Sequence, residues 1–397
     1  MTSIDVIGGV YGESCAFPHW NQIYGSAGRA SAALSTHVDT VRLHTILPEA
    51  YVQRIQPIYD AFGVDVCIKA GTQFIGFDYL HCLANPIISP SPDTIQQQDQ
   101  FEVQADVAVV FGMMECLPKV KADICVYDPQ SPSNPKRFNE SGSEARRLAF
   151  IANNDEIRKL SGKDGLEGAQ SVLQTEKAEV VILKNGLNGA LIVDTEGQIG
   201  KVPAYKTDNV FTIGSGDVFT AAFAYAWGIC NFNPLLAAEF GSQAVAKYVE
   251  TSSLPMISIE DAKNCKREPV NLKGGRVYLA GPFRELGQRI LINEARSLIC
   301  QLGMEVFSPV HDIGHGAAEQ VVKKDLDAIE KSDALFVILN GSSPGTLFEV
   351  GFAIRGEQQV FCVAQNMRSV DMKLPLGSGC VVHPDFVTAL HFLAWRQ

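Results

Sequence analysis

Two stretches of this chain combine residue types and spacing that suit chemistry. The first is Thr212-Ile213-Gly214-Ser215-Gly216-Asp217, followed by an almost wholly apolar run, Val218 to Trp227, that reads as a buried helix. Two glycines at a helix mouth free backbone N–H groups to face an anion, and the helix dipole favours negative charge there. Asp217, in the first turn, either caps the helix or accepts a proton. An anion hole beside a carboxylate is what phosphoryl transfer to a hydroxyl needs: the carboxylate takes the proton while the amides hold the phosphate charge. The second stretch carries Glu349 in Thr346-Leu347-Phe348-Glu349-Val350-Gly351-Phe352. It follows six apolar residues, Ala334 to Leu339, closed by Asn340 and Gly341, which read as a buried strand of a parallel sheet. The helix after it places Glu349 about one turn in, past the carboxyl end of the strand, where open α/β sheets hold their ligands. Glu349 is an active-site candidate, with a packing-neutral surface carboxylate as the alternative reading.

The elements that position these groups alternate along the chain. Strand-like runs lie at Ile4 to Val10, Val64 to Ile68, Val107 to Phe111, Ile124 to Tyr127, Val180 to Leu183 and Ala190 to Val193. Helical patterns occupy Arg29 to Leu34, Ser143 to Ala152 and Gly168 to Thr175. This alternation predicts a mostly parallel sheet covered on both faces. Ser252 to Gly275 mixes Ser, Pro, Lys, Asn and Gly with little periodicity and predicts a boundary: a domain over 1–255, a linker over 256–275 and a second domain over 276–397. From Arg276 the pattern restarts: strand at Val277 to Ala280, helix at Glu285 to Leu302, strand at Glu305 to Phe307, helix at Ala317 to Lys331, then the strand and helix around Glu349, and a strand at Val360 to Ala364. That is a flavodoxin-like, Rossmann-type unit of roughly 120 residues.

Composition excludes several classes. The 397 residues are 46% hydrophobic and 19% charged, which suits a two-domain globular chain and not a disordered or fibrous one. A formal net charge of −11 argues against a nucleic-acid surface, and no run reaches membrane-spanning length. The start, Met1-Thr2-Ser3-Ile4-Asp5, lacks a basic segment with an apolar core, so a cytoplasmic location is expected. Ten scattered cysteines without a Cys-x-x-Cys pair read as reduced, mostly core residues. His311, Asp312 and His315 have the types of a metal cluster but no Cys or Glu-x-x-His partner, and read as a polar loop.

The first domain resembles the ribokinase-like (PfkB) sugar and nucleoside kinases. Phe211-Thr212-Ile213-Gly214-Ser215-Gly216-Asp217 matches the signature before that family's buried helix, Asn153-Asn154-Asp155-Glu156 its N-x-x-E element, and Lys184-Asn185-Gly186-Leu187-Asn188-Gly189 its nucleotide-side loop. The resemblance implies an α/β/α sandwich that uses ATP and Mg2+. Asp217 would be the general base; Gly214, Ser215 and Gly216, with Lys184 and Gly186, would form the anion hole and ATP side. Glu156 would act through water on magnesium, with Asn153 beside it, and Glu13 and Gly25 would lie on the substrate side. The departures are Phe211 for the first signature Asp, Glu13 for a substrate-binding Asp, Gly25-Ser26 with Ala30 at an expected Asn, and a short lid segment around Cys67 to Pro92.

The second domain resembles the nucleoside 2-deoxyribosyltransferase superfamily, which includes 2′-deoxynucleoside 5′-monophosphate N-glycosidases. The resemblance rests on Tyr278-Leu279-Ala280-Gly281-Pro282-Phe283, on Asp325-Leu326-Asp327-Ala328-Ile329 with Ser332-Asp333, and on Gly345-Thr346-Leu347-Phe348-Glu349-Val350-Gly351. It implies Glu349 as nucleophile on the anomeric carbon, Asp325 as proton donor or orienter toward the base, Tyr278 as the group holding Glu349, and no cofactor. Ser343 stands where the transferases carry an Asp and the monophosphate glycosidases a Ser. With Ser342, Arg284, Gly281 and Gly345 it predicts a phosphate pocket.

The combined expectation is an enzyme of nucleoside or nucleotide metabolism acting on a small nucleoside, nucleotide or sugar, without nucleic-acid or membrane partners, and assembled as a homo-oligomer. One form is bifunctional. In the other, the first domain is a ligand-sensing or scaffolding module attached to a nucleotide-depleting glycosidase.

Overall fold

The computed structural model describes every residue except Met1, Pro132, Gln198, His315 and Gln397. Its contacts divide the chain into two compact units, Met1–Val270 and Asn271–Gln397.

Among the described residues the first unit has thirteen strands. The first seven are β1 (Ser3–Ile7), β2 (Gly12–Phe17), β3 (Trp20–Ile23), β4 (Thr40–Leu47), β5 (Val64–Ala70), β6 (Gly76–His81) and β7 (Ile87–Ser89). The rest are β8 (Glu102–Phe111), β9 (Lys119–Asp128), β10 (Glu144–Asn153), β11 (Val180–Lys184), β12 (Ala190–Asp194) and β13 (Ile199–Val202). Its helices are α1 (Gly25–Leu34), α2 (Glu49–Phe62), α3 (Asn154–Ser161), α4 (Gly165–Glu176), α5 (Ser215–Ala224), α6 (Pro234–Thr251) and α7 (Ile259–Asn264). Nine strands form one sheet in the order β13-β12-β11-β10-β9-β8-β1-β4-β5, parallel from β11 to β5, with β12 and β13 antiparallel at one edge. The order reverses between β1 and β8, and at such a switch point the carboxyl ends of strands open a crevice. A four-stranded sheet, β3-β2-β6-β7, stands apart from the large one and takes in much of the Cys67–Pro92 segment.

Buried parallel strands read as apolar runs, which is why most of these elements are legible. One expectation fails. The helical pattern at Ser143 to Ala152 is the strand β10, parallel to β9 and β11. Its second half, Leu148 to Ala152, is buried. Arg147 in its first half pairs with Glu179 at 2.8 Å and lies over the Trp227 ring at 4.5 Å, so tertiary partners overrule the local preference of the charged start.

The second unit has five parallel strands, β14 (Arg276–Ala280), β15 (Glu305–Phe307), β16 (Ala334–Ile338), β17 (Gln359–Val363) and β18 (Val381–His383), in the order β15-β14-β16-β17-β18. That is the flavodoxin order, with its switch point between β14 and β16. Its helices are α8 (Leu286–Gln301), α9 (Pro309–Asp312), α10 (Ala318–Glu330), α11 (Pro344–Arg355), α12 (Lys373–Gly377) and α13 (Phe386–Ala394). The ends of this unit meet: Lys273 N–H donates to the Ala394 carbonyl at 2.9 Å, and Arg396 donates to the Lys273 and Gly274 carbonyls at 3.3 and 2.5 Å. Among the described residues no helix is long and apolar enough to cross a membrane.

Candidate active sites

In the second unit the switch point gathers three side chains. Tyr278 is fully buried in β14, and its hydroxyl donates to Glu349 Oε1 at 2.8 Å from α11. Asp325, half-buried on α10, is near enough to the same hydroxyl to act on it electrostatically. Burial pushes the Glu349 carboxyl up to about 7, with the Asp325 charge adding to the rise and the Tyr278 hydrogen bond opposing it. Burial also raises Asp325, and burial, with both carboxylates adding to it, pushes Tyr278 far above its ordinary value. A phenol has one proton to donate, so two ionised carboxylates would compete for it. The arrangement is satisfied when one of the two carboxyls is protonated and the other, ionised, accepts from the Tyr278 hydroxyl. Two carboxyls with unlike proton demands thereby share one hydroxyl. Asp325 Oδ1 is buried without a partner, so the acid still has an oxygen to offer.

The remaining residues expected here lie on the loops around this group. Ser343 is the N-cap of α11 without a side-chain cap bond, and Gly345 follows in its first turn. Ser342 has φ +47° and turns its hydroxyl to Met367 Sδ at 3.1 Å. A Cβ on Gly281 would lie 3.1 Å from Ile338 Cβ, so this glycine sets the close approach of the β14 loop to β16. Arg284 is exposed on that loop. His311 bridges Ser308 and Asn293, and Asp312 pairs with both nitrogens of Arg296 at 3.0 Å. His315 lies outside the described residues, and among those described no group of three His, Cys, Asp or Glu side chains forms a metal site.

In the first unit the carboxyl ends of β9, β10 and β11 converge beside the mouth of α5. Lys184, ending β11, holds Asp128 Oδ2 at 2.6 Å; Thr220 of α5 donates to the same oxygen at 3.0 Å. Asp128 is fully buried and its Oδ1 has no partner. Asn153 and Glu156 form the capping box of α3: Glu156 N–H donates to Asn153 Oδ1 at 2.9 Å, and Asn153 N–H to Glu156 Oε2 at 2.8 Å. Burial, with Asp128 nearby, pushes Glu156 up to about 7. Two adjacent buried carboxylates and an orphaned carboxylate oxygen suit a hydrated divalent cation, which keeps its waters and takes few protein oxygens. Gly186 opens the turn after Lys184 with φ +53°. Gly214, at φ +78°, is the N-cap of α5, ahead of Ser215, Gly216 and Asp217. A Cβ on Gly216 would lie 3.4 Å from Lys184 Nζ, so the lysine reaches the anion-hole loop from one side.

The other side of that loop holds a residue that sequence reasoning missed. Arg29 of α1 is 1% exposed. Its Nη1 donates to Asp217 Oδ2 at 2.7 Å and to Glu13 Oε1 at 3.1 Å, its Nη2 donates to Glu13 Oε2, and its Nε donates to the Tyr248 hydroxyl at 3.0 Å. Gln130 donates to the second Asp217 oxygen at 2.5 Å and accepts from Ser26. Gly25, at φ +58°, is confined by Gly9 O, 2.5 Å from any added Cβ. The signal in the sequence was a single charge within an otherwise small and apolar helix, Gly25-Ser26-Ala27-Gly28-Arg29-Ala30-Ser31-Ala32-Ala33-Leu34. A buried charge in such a helix calls for carboxylate partners. Phe211 is buried as well, against Trp20 and Tyr248 at ring distances of 4.8 and 6.3 Å.

Comparison with known proteins divides along the same line. The chain is similar to 5-dehydro-2-deoxygluconokinase of Bacillus subtilis, 25% identical over 174 residues, covering 42% of this chain and 50% of that protein. A 5-dehydro-2-deoxygluconokinase of Listeria monocytogenes is 29% identical over 176 residues, again covering 42% of this chain and 50% of that one. The chain thus matches about half the length of these curated relatives. Among solved structures, ribokinase from Thermotoga maritima is 18% identical with a TM-score of 0.49, covering 66% of this chain and 99% of that chain. Aminoimidazole riboside kinase from Salmonella enterica is 16% identical with a TM-score of 0.48, covering 66% and 98%. Residues 97–253 match the model of the pfkB family carbohydrate kinases, and residues 277–385 match that of the nucleoside 2-deoxyribosyltransferases, so segments similar to two enzyme families follow one another in this chain.

Proposed function

We propose that the second unit cleaves or exchanges the N-glycosidic bond of a nucleoside 5′-monophosphate. The observation that carries this reading is the Glu349–Tyr278–Asp325 group at one strand switch point, two carboxyls, both raised by burial, beside one hydroxyl. Glu349 attacks the anomeric carbon as the bond to the base nitrogen breaks, and the leaving base takes the Asp325 proton. Water, or a second base, then attacks the same carbon and displaces Glu349, and the proton of that nucleophile returns to Asp325. Ser342, Ser343 and Arg284 supply donors for a 5′-phosphate beside α11, whose N-terminal amides favour an anion. Base release from a panel of 5′-monophosphates and matching nucleosides tests this. Exchange confined to free nucleosides, with the monophosphates untouched, would exclude the monophosphate substrate.

Tyr278→Phe removes the hydrogen bond that holds the Glu349 value down. The acid limb of kcat/KM, set by Glu349 near 7, is therefore expected to move to higher pH, with a fall in rate of about 10- to 100-fold. A pH–rate profile identical to that of the wild type would contradict the role given to Tyr278.

In the same reading the first unit binds ATP. Its phosphates would be held by the Gly214–Gly216 amides and Lys184, and Asp128 with Glu156 would hold a hydrated magnesium ion, whose charge would neutralise the polyphosphate. Asp217 stands at the point where an acceptor hydroxyl would give up its proton.

A further inference from the structure

The anion-hole loop of the first unit has one cation on each side, and the two differ. Lys184 lies beside Gly216, on the side reached from β9 and β11. Arg29 lies beside Gly214, where an added Cβ would come within 2.1 Å of its Nε. Phosphoryl transfer needs an acceptor oxygen next to Asp217 and in line with the phosphate. That space holds the Arg29 guanidinium. Each Asp217 oxygen already accepts from a side chain, Oδ2 from Arg29 and Oδ1 from Gln130. The guanidinium donates four hydrogen bonds, to Glu13, Asp217 and Tyr248, and Tyr248 donates onward to the Ile213 carbonyl of the same loop at 3.0 Å. Glu13 and Asp217 against one arginine leave the cluster one negative charge in excess, so an anionic acceptor gains nothing by displacing either carboxylate. A neutral polyol cannot replace a bidentate ion pair shielded from water.

We infer that the first unit binds a nucleoside triphosphate without transferring its terminal phosphate, because the chain's own Arg29 occupies the acceptor position. The inference rests on the ATP-binding half of the reading above and denies that half a phosphoryl acceptor. The unit then reports nucleotide by occupancy. Its ligand is recognised by the phosphate cradle on the Lys184 side, and water is kept from Asp217 by the same guanidinium.

The test uses the full chain. Titration of ATP–Mg2+ by calorimetry is expected to show saturable binding. Release of labelled phosphate, or its transfer to sugars, polyols and nucleosides, is expected to be no greater than in Asp217→Asn. In Glu13→Gln/Arg29→Ala the guanidinium is gone and water has access to Asp217. Water then attacks the terminal phosphorus, the bridging P–O bond breaks, Asp217 takes the water proton, and ADP and phosphate leave. Phosphate release at least about tenfold above wild type is expected, and it should vanish on adding Asp217→Asn. Transfer to any acceptor by the wild-type chain overturns the inference and leaves ATP binding intact. A folded double variant that binds ATP and stays as inert as wild type overturns it too. Absence of ATP binding by the wild type removes the nucleotide reading on which it rests. Should the double variant fail to fold, Arg29→Lys, which keeps the counter-charge of Glu13 and Asp217 on a narrower head group, replaces it: phosphate release above wild type supports the inference, and release no greater than wild type overturns it.

Discussion

Glu349→Ala is expected to lower base release by roughly 10^3- to 10^6-fold while the protein stays folded, because it deletes the group that forms the covalent bond. Glu349→Gln should be as inactive, which separates loss of the nucleophile from loss of packing. A second readout distinguishes the two states of this side chain. Folding raises the Glu349 carboxyl from the ordinary 4.5 to about 7, so the folded protein holds a proton that the unfolded chain releases between those values. Wild-type stability therefore falls as pH rises through that window. The glutamine variant has no such proton, so at pH 8 it should be the more stable protein, by no more than about 3 kcal/mol and less by whatever solvent relieves at this half-buried site. At pH 4 the two should melt alike. Urea titrations at both pH values check this. Full activity in Glu349→Ala would end the mechanism, and equal stabilities at pH 8 would show that the carboxyl is not held neutral.

Arg29→Ala is expected to cost the first unit about 3–5 kcal/mol, because it strands Glu13 and Asp217 as neighbouring buried carboxylates without a counter-charge. For a unit of this size that is a drop in melting temperature on the order of 10 °C. The loss should shrink as pH is lowered and the stranded carboxylates take up protons. It should be partly recovered by adding Glu13→Gln, a non-additivity that a double-mutant cycle would read directly. A loss below about 1 kcal/mol at pH 8 would mean that the cluster is relieved by solvent or by relaxation. Replacing all three side chains by apolar residues of similar volume should be nearly neutral. The cluster is accordingly a poor explanation of stability and a better one of what the pocket admits.

What was legible in the sequence was local. Gly214 to Asp217 announces an anion hole because the glycines, the carboxylate and the helix they precede are contiguous. Glu349 follows its own strand within about a dozen residues. Asn153 and Glu156 stand out as an N-x-x-E element three residues apart, and in the structure they close the capping box of α3. What was not legible depends on long-range contact. Arg29 and Asp217 are 188 positions apart, and no pattern in either segment states that they meet. The β10 error has the same origin, since Arg147 finds Glu179 and Trp227 only once the sheet has formed. The Lys184–Asp128 pair, closed across 56 positions, joins the ends of two strands that read merely as apolar runs.

The meeting of Lys273 and Gly274 with Ala394 and Arg396 has an architectural consequence. A unit whose entry and exit lie side by side can be spliced onto a neighbour, or re-opened at another loop, without breaking a strand of its sheet. Its attachment to a kinase-like partner therefore makes no demand on the topology around Glu349. The fold of the second unit therefore imposes no order on the two units along the chain.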